Sequence, residues 1–146
     1  MTRIDFYHDV DDKLRFACRL AGKVVEQQLR VLIFAPDAAL AKRIDQLLWT
    51  WPAIGFLPHC NVRDPLAAET QVLIAHDDSM LPHDEALINL HSEQPPFFSR
   101  FQRLIEIVGS DDADLEPARQ RFRFYRDRGY EIRRHDMKQS AGGGEG

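Results

Sequence analysis

The sequence predicts an α/β fold: a mostly parallel β-sheet flanked by helices, with the mononucleotide-binding (Rossmann-like) topology. Two observations predict it. First, apolar runs typical of strands buried on both faces, such as residues 30–35 (RVLIFA), alternate with segments whose apolar residues recur at helical spacing. Second, the chain opens in the order strand, helix, strand, helix, which favours a parallel sheet with right-handed crossovers. Its 146 residues are enough for one domain.

The first half of the chain supplies two strand–helix units. Polar and apolar residues alternate at the amino terminus, as in a strand, and an aspartate then offers an N-cap for a helix. The continuous apolar run ends at a proline and an aspartate, which turn the chain into a second helix. The predicted elements are a strand over 3–7, a helix from Asp11 or Asp12 to about Gln28, a strand over 30–35 and a helix over 38–49.

The second half begins with a loop punctuated by Pro58 and Pro65. The elements predicted after it are strands over 72–75, 86–90 and 103–108, a helical or turn segment over 97–101, a helix over 115–128 and a short edge strand over 130–132. Gly129 is the expected C′ residue of the last helix. We expect residues 1–138 to form one α/β domain and residues 139–146 a flexible glycine-rich tail.

Composition excludes several classes of protein. With 44% hydrophobic and 29% charged residues, the chain is not disordered as a whole. The purest apolar run, 31–35, is far shorter than the ~20 residues of a membrane-spanning helix. Acidic residues stand where a signal peptide would be apolar, and Cys18 and Cys60 are too few for a disulfide framework. We therefore expect a cytoplasmic protein with no membrane partner.

Charge is distributed unevenly along the chain. Residues 1–114 contain 11 Lys and Arg against 18 Asp and Glu, a net charge of −7, whereas residues 115–146 contain 8 against 5, a net charge of +3. An acidic body argues against a general DNA-binding surface, which would be basic overall. It permits a local site for an anion near the carboxyl terminus.

Motifs that would predict catalysis are absent from the sequence. None of the eight glycines forms GxGxxG or GxxxxGK[ST], and there is no GxSxG. We therefore predict no catalytic residues and no cofactor. An enzyme that uses the carboxyl ends of the strands remains an alternative, because such folds bind ligands there.

Two further groups of residues are considered as reactive or metal sites. The densest set of potential metal ligands is 76–84 (HDDSMLPHD), but it lacks a zinc spacing and is more typical of a solvated acidic loop. Cys60 follows His59, yet sequence neighbours do not orient a base towards a nucleophile. We predict no metal site and no catalytic thiol.

The segment 115–134 contains the most informative pattern. On a helix, Leu115, Ala118, Phe122 and Tyr125 share one stripe, and a row of arginines runs beside it. That row consists of Arg119, Arg123 and Arg126, with Arg121 and Arg128 on the other flank. Guanidinium groups beside aromatic rings suit an anion with an apolar attachment, either a nucleic acid that stacks on Phe122 or Tyr125 or an acidic peptide with an apolar end. The alternative is an ordinary helix in which Phe122 and Tyr125 belong to the core and the arginines form the solvated face.

Residues 49–59 (WTWPAIGFLPH) concentrate large apolar side chains at a helix end and in a loop. Loops run over the surface, so these side chains either fold back as a lid or bind a partner.

Five segments in order resemble a known family. They are DFY (5–7), RIDQLLW (43–49), FLPH (56–59), INL (88–90) and ARQRFRFYRDRGYEI (118–132). Through them the chain resembles, from about Ile4 to Met137, the chi subunit of the bacterial DNA polymerase III holoenzyme, a clamp-loader accessory subunit.

The resemblance implies a function as well as a fold. Members of this family are not enzymes by themselves but subunits of a complex with DNA-directed DNA polymerase activity. They bind the acidic C-terminal tail of single-stranded DNA-binding protein, which ends in Pro-Phe, and they bind the psi subunit of the clamp loader. The resemblance thus implies a tether between the replisome and coated DNA, with DNA contacted indirectly through the complex.

The resemblance also implies site residues. The tail site corresponds to Val108, Arg119, Phe122, Arg123 and Arg126, and the psi site to Trp49 and Phe56. Leu115 replaces a basic residue that some relatives carry near the start of the helix, so one charge at the rim of the site is missing. Direct binding of single-stranded nucleic acid by the same helix face is the alternative function.

Overall fold

The computed structural model describes residues 2–50, 58–77 and 81–137. Within these residues a seven-stranded sheet forms the middle layer, and every neighbouring pair of its strands is parallel. The strands are β1 (Arg3–Val10), β2 (Val31–Phe34), β3 (His59–Asn61), β4 (Val72–Ala75), β5 (Ala86–Asn89), β6 (Arg103–Gly109) and β7 (Ile132–Asp136). The helices are α1 (Lys13–Glu26), α2 (Ala38–Thr50) and α3 (Asp112–Asp127). The strand order is β3-β4-β2-β5-β6-β1-β7. The predicted α/β fold with a parallel sheet is confirmed.

Each face of the sheet is covered by its own apolar core. In β2, Val31 and Ile33 pack with α1 and α2, whereas Leu32 and Phe34 pack with the layer that contains α3. Because both faces of the central strands are buried, these strands are continuous apolar runs and do not alternate between polar and apolar residues. The α3 layer also contains a short 3₁₀ turn, Phe98–Arg100, close to the helical or turn segment predicted over 97–101.

Helix caps match the sequence signals. The Asp12 carboxylate accepts a hydrogen bond from the backbone N–H of Arg15 at 3.2 Å, which confirms the predicted N-cap of α1. Gly129 follows α3 with a φ of +83°, a conformation that glycine adopts without strain. The backbone N–H of Tyr130 donates to the carbonyl of Tyr125 at 3.2 Å, so the helix ends in a Schellman motif, as the expected C′ glycine predicts.

Four predicted segments differ from the structure. β1 continues to Val10, three residues beyond its predicted end at Tyr7. The loop after α2 contains the short edge strand β3, whose three residues give too little pattern to predict a strand. α3 begins at Asp112, three residues before the predicted Leu115, because acidic residues in a first turn are favoured by the helix dipole. β7 spans Ile132–Asp136 instead of 130–132, since pairing with β1 extends a strand that is largely charged.

Some predictions fall on residues outside the described ranges: the tail 139–146, residues 51–57 of the apolar loop with Phe56, and residues 78–80 of the acidic segment. None of the helices in the described ranges is long and apolar enough to cross a bilayer.

Candidate functional site

A groove of about 320 Å³ lies between α3 and the α3-facing side of strands β1, β6 and β7. Its lining combines apolar and cationic side chains: Phe6, His8, Val108, Leu115, Ala118, Arg119, Phe122, Arg123, Arg126 and Arg134. The groove therefore brings together all five residues of the predicted tail site.

The floor of the groove is aromatic and aliphatic. Phe122 meets Phe6 edge to face, with ring centroids 5.5 Å apart, and Val108 is buried at the end of β6. Phe122 itself is only partly buried, so part of its surface remains open to the groove. Such a floor can seat an apolar side chain of a ligand, which gains by leaving water.

Three arginines of α3 form one rim of the groove, and their side chains are exposed. Arg119 lies 3.6 Å from Glu116 and Arg126 lies 3.1 Å from Asp127, whereas Arg123 has no ion-pair partner within the described part of the chain. Ion pairs this exposed contribute little and exchange readily for a better-placed anion. The rim can therefore bind carboxylates or phosphates.

A buried polar network fixes the rotation of α3 on the sheet. Glu106 of β6 is completely buried and accepts hydrogen bonds from Arg121 Nε at 2.9 Å and from the Tyr125 hydroxyl at 2.6 Å. The side-chain amide of Asn89 donates to both carboxylate oxygens at 3.0 and 3.1 Å. Arg121 also donates to the carbonyl of Ser92 at 2.7 Å. Because Arg121 and Tyr125 point inward, the arginines at 119, 123 and 126 must point to the groove.

The network shifts the pKa values of its members. Burial raises the pKa of Glu106 above its ordinary range, and the charge of Arg121 and the donors Tyr125 and Asn89 act against that rise. Burial and the adjacent carboxylate raise the pKa of the Tyr125 hydroxyl, which stays a donor. Both shifts are those of a structural cluster that is sealed from water.

The start of α3 is anchored by a second polar contact. Asp114 accepts a hydrogen bond from the backbone N–H of Gly109 at 2.8 Å and pairs with Lys13 Nζ at 2.7 Å. Burial raises the pKa of Asp114, but the hydrogen bonds and charge of Lys13, the Gly109 amide and the charge of Arg121 together leave it below its ordinary value. This contact lies beside the carboxyl ends of β6 and β1, at the edge of the sheet where an enzyme of this fold would bind its ligand.

The sequence pattern misjudged two residues of α3 and missed three of the groove. Arg121 was placed on a solvated flank, yet it is only 4% exposed. Tyr125 was considered either as a base-stacking residue or as part of the core; it is fully buried, so the base-stacking interpretation is wrong. Phe6 and His8 come from β1, far away in sequence, and Arg134 lies in β7 after the end of α3, where helical spacing no longer relates it to the stripes of the helix.

The surface predicted to bind a partner over residues 49–59 lies only partly within the described residues. Trp49, at the end of α2, is 60% exposed and meets the His59 ring edge to face, with centroids 5.0 Å apart. His59 Nε2 in turn lies 3.2 Å from an Asp45 carboxylate oxygen. Trp49 is therefore a large apolar side chain held at the surface, as the prediction of a partner surface requires.

The remaining candidate sites gain no support. Within the described residues, His8, Asp9 and Asp136 are the one group of three potential metal ligands that converge within 4.8 Å, and the histidines considered in the sequence, His76 and His83, are not among them. Surface carboxylates commonly cluster in this way without binding a metal. Cys18 and Cys60 are free thiols, and burial raises the pKa of Cys18 to about 12, which makes that thiol inert.

Comparisons with known proteins agree with the geometry. The family model described as "DNA polymerase III chi subunit, HolC" matches residues 1–133. The DNA polymerase III subunit chi of Pseudomonas aeruginosa is 36% identical over 141 residues, which are 94% of this chain and 98% of that protein. The subunits of Haemophilus influenzae and Escherichia coli are 32% and 28% identical, each over about four-fifths of both chains. The chain belongs to the DNA polymerase III chi subunit family.

Proposed function

We propose that the groove binds the acidic C-terminal tail of single-stranded DNA-binding protein and that the chain links this protein to the clamp loader through the psi subunit. It acts as a non-catalytic accessory subunit in DNA replication, in the cytoplasm at the replisome. One observation carries the proposal: a single groove combines an apolar floor with three arginines from one helix. An acidic peptide with an apolar terminal residue is the ligand that uses both parts.

Each part of the groove has a role in this proposal. The terminal Phe ring of the tail lies on the floor formed by Phe122 and Val108. Arg119 binds the terminal carboxylate, because a guanidinium group can hold both carboxylate oxygens at once. Arg123 and Arg126 face the aspartates that precede the terminus, and long-range attraction between these charges speeds the encounter.

Direct stacking of nucleic-acid bases is disfavoured by two contacts of the rings. Tyr125 has no exposed surface, so a base cannot stack on it. The Arg134 guanidinium carbon lies 5.4 Å from the centroid of the Phe122 ring, and Phe6 meets the same ring edge to face. Only the part of Phe122 that is open to the groove remains for stacking, whereas a single-stranded nucleic-acid site stacks successive bases on several rings.

The experiment that tests the proposal is a titration of the chain with a fluorescent tail peptide, with and without its last Phe, at low and at high salt. We expect binding that requires the Phe and weakens as salt rises, because the rim is charged and exposed. A single-stranded oligonucleotide is titrated alongside. Equal binding of both peptides, or binding of the oligonucleotide alone, would contradict the proposal.

Psi binding is assigned to the surface that contains Trp49 and, outside the described residues, Phe56. An exposed indole is typical of the side chains that dominate protein interfaces. Because Trp49 belongs to α2, which packs on the opposite face of the sheet from α3, the two partners can bind at the same time.

Replacing Trp49 with Ala is expected to leave the affinity for the tail peptide unchanged within twofold and to weaken psi binding by at least tenfold, the effect of a typical interface hot spot of about 2 kcal/mol. The same preparation is titrated with both partners. A Trp49→Ala variant that loses the tail peptide while it remains folded would show that the two surfaces are not independent.

A further inference from the structure

Arg134 lies on the strand side of the groove, opposite the arginines of α3. In the pairing of β7 with β1, Arg134 is the register partner of Phe6. Register partners in a sheet project to the same face, so Arg134 shares the α3-facing side with Phe6. The contact of its guanidinium group with the Phe122 ring agrees with this direction, and both side chains line the groove.

The charge of Arg134 is not neutralised by an ion pair with any carboxylate in the described ranges. Its neighbour Arg133 projects to the other face and lies 3.9 Å from a carboxylate oxygen of Glu131. The aromatic contact restrains the Arg134 guanidinium group without using its N–H donors, since a cation on a ring face interacts through the ring electrons. The ring contact thus restrains Arg134 at the groove, and its N–H groups donate to no other residue in the described part of the chain.

We propose that Arg134 is a further recognition residue of the groove, which binds an acidic side chain of the ligand peptide from the strand side while Arg123 and Arg126 bind from the helix side. This inference rests on the proposed function. Arginines on two sides of the apolar groove floor favour a peptide whose carboxylates lie next to its apolar end. They reject a peptide with the same apolar end and neutral neighbours, which leaves the arginines unpaired.

The test compares Arg134→Gln with the matched control Arg133→Gln. Both variants lose one positive charge at adjacent positions of β7 and keep a polar side chain, but only Arg134 faces the groove. Each variant and the unmodified chain are titrated with the acidic tail peptide and with a peptide in which Asn replaces each Asp and the terminal Phe is kept. Thermal unfolding of every variant is measured to show that it is folded.

We expect Arg134→Gln to weaken binding of the acidic peptide about fivefold, the upper range for an exposed charge pair. The Arg133→Gln variant should bind within twofold of the unmodified chain. With the Asn-substituted peptide, the effect of Arg134→Gln should disappear, because no side-chain carboxylate remains and the terminal carboxylate is bound by Arg119.

The outcomes separate this inference from the proposed function. Tight binding of the acidic peptide by the unmodified chain, together with equal affinities of the two variants, would overturn the role of Arg134 and leave the tail site standing. A loss of affinity in Arg134→Gln that persists with the Asn-substituted peptide would overturn it as well, because Arg134 would then act through packing on Phe122. Absence of binding by the unmodified chain would contradict both.

Discussion

Replacing Arg121 with Met is expected to lower the free energy of unfolding by about 3–5 kcal/mol at neutral pH. The substitution leaves the carboxylate of Glu106 fully buried without its charged partner, although the hydroxyl of Tyr125 and the amide of Asn89 still donate to it. A buried charge without its counterion is among the most destabilising changes a protein can undergo. Chemical denaturation followed by circular dichroism measures the change.

Two further variants test the cause of this loss. Glu106→Leu combined with Arg121→Met removes both charges, and we expect it to be more stable than Arg121→Met alone, because apolar replacement of a whole buried pair is often neutral. The deficit of Arg121→Met should also shrink as the pH falls from 7 to 5, since protonation removes the buried charge of Glu106. A deficit that is the same at both pH values and in the double variant would contradict the assignment of the pair as structural.

Replacing Arg119 with Ala is expected to weaken tail binding by at least tenfold, the loss of a hydrogen-bonded charge pair at the centre of a small interface. The side chain is 66% exposed and its ion pair with Glu116 is long, so the free energy of unfolding should change by no more than ~0.5 kcal/mol. Peptide titration and thermal unfolding on the same sample measure the two effects.

Arg128→Ala is the matched control for this substitution. Arg128 follows the same helix and is exposed, but its guanidinium group lies 3.6 Å from the centroid of Phe124, away from the groove. The control should bind the peptide within twofold of the unmodified chain. Equal losses in both variants would mean that the peptide responds only to net charge, and a large drop in melting temperature for Arg119→Ala would mean that Arg119 is structural.

Much of the fold could be predicted because its signals are local. The apolar runs of β2, β4, β5 and β6, the Asp12 cap and Gly129 each follow from a few adjacent residues. The short strand β3 and the extent of β7 could not be predicted in this way, since both depend on pairing with a neighbouring strand. The strand order requires contacts between distant segments that no local pattern encodes.

In the candidate site, too, the features set by local spacing could be predicted and those set by contacts between strands could not. The arginine and aromatic stripes of α3 are visible in the sequence because helical spacing brings them together. The sequence does not show which of the arginines is buried, because that depends on Glu106, the one acidic residue of strand β6, which lies between two isoleucines. That residue is the one available signal, since a carboxylate inside a buried strand must find a cation or hydrogen-bond donors. Phe6 and Arg134 become part of the site only when β1 and β7 pair.

The central claim, that the acidic tail binds in the groove of α3, is tested most directly by mapping its contacts on the protein. An isotope-labelled chain is titrated with unlabelled tail peptide, and the amide and methyl resonances are followed by nuclear magnetic resonance. We predict the largest shifts at Val108, Phe122 and Arg123, with little change at Trp49. Saturable binding that shifts the residues around Trp49 and leaves α3 unchanged would contradict the claim.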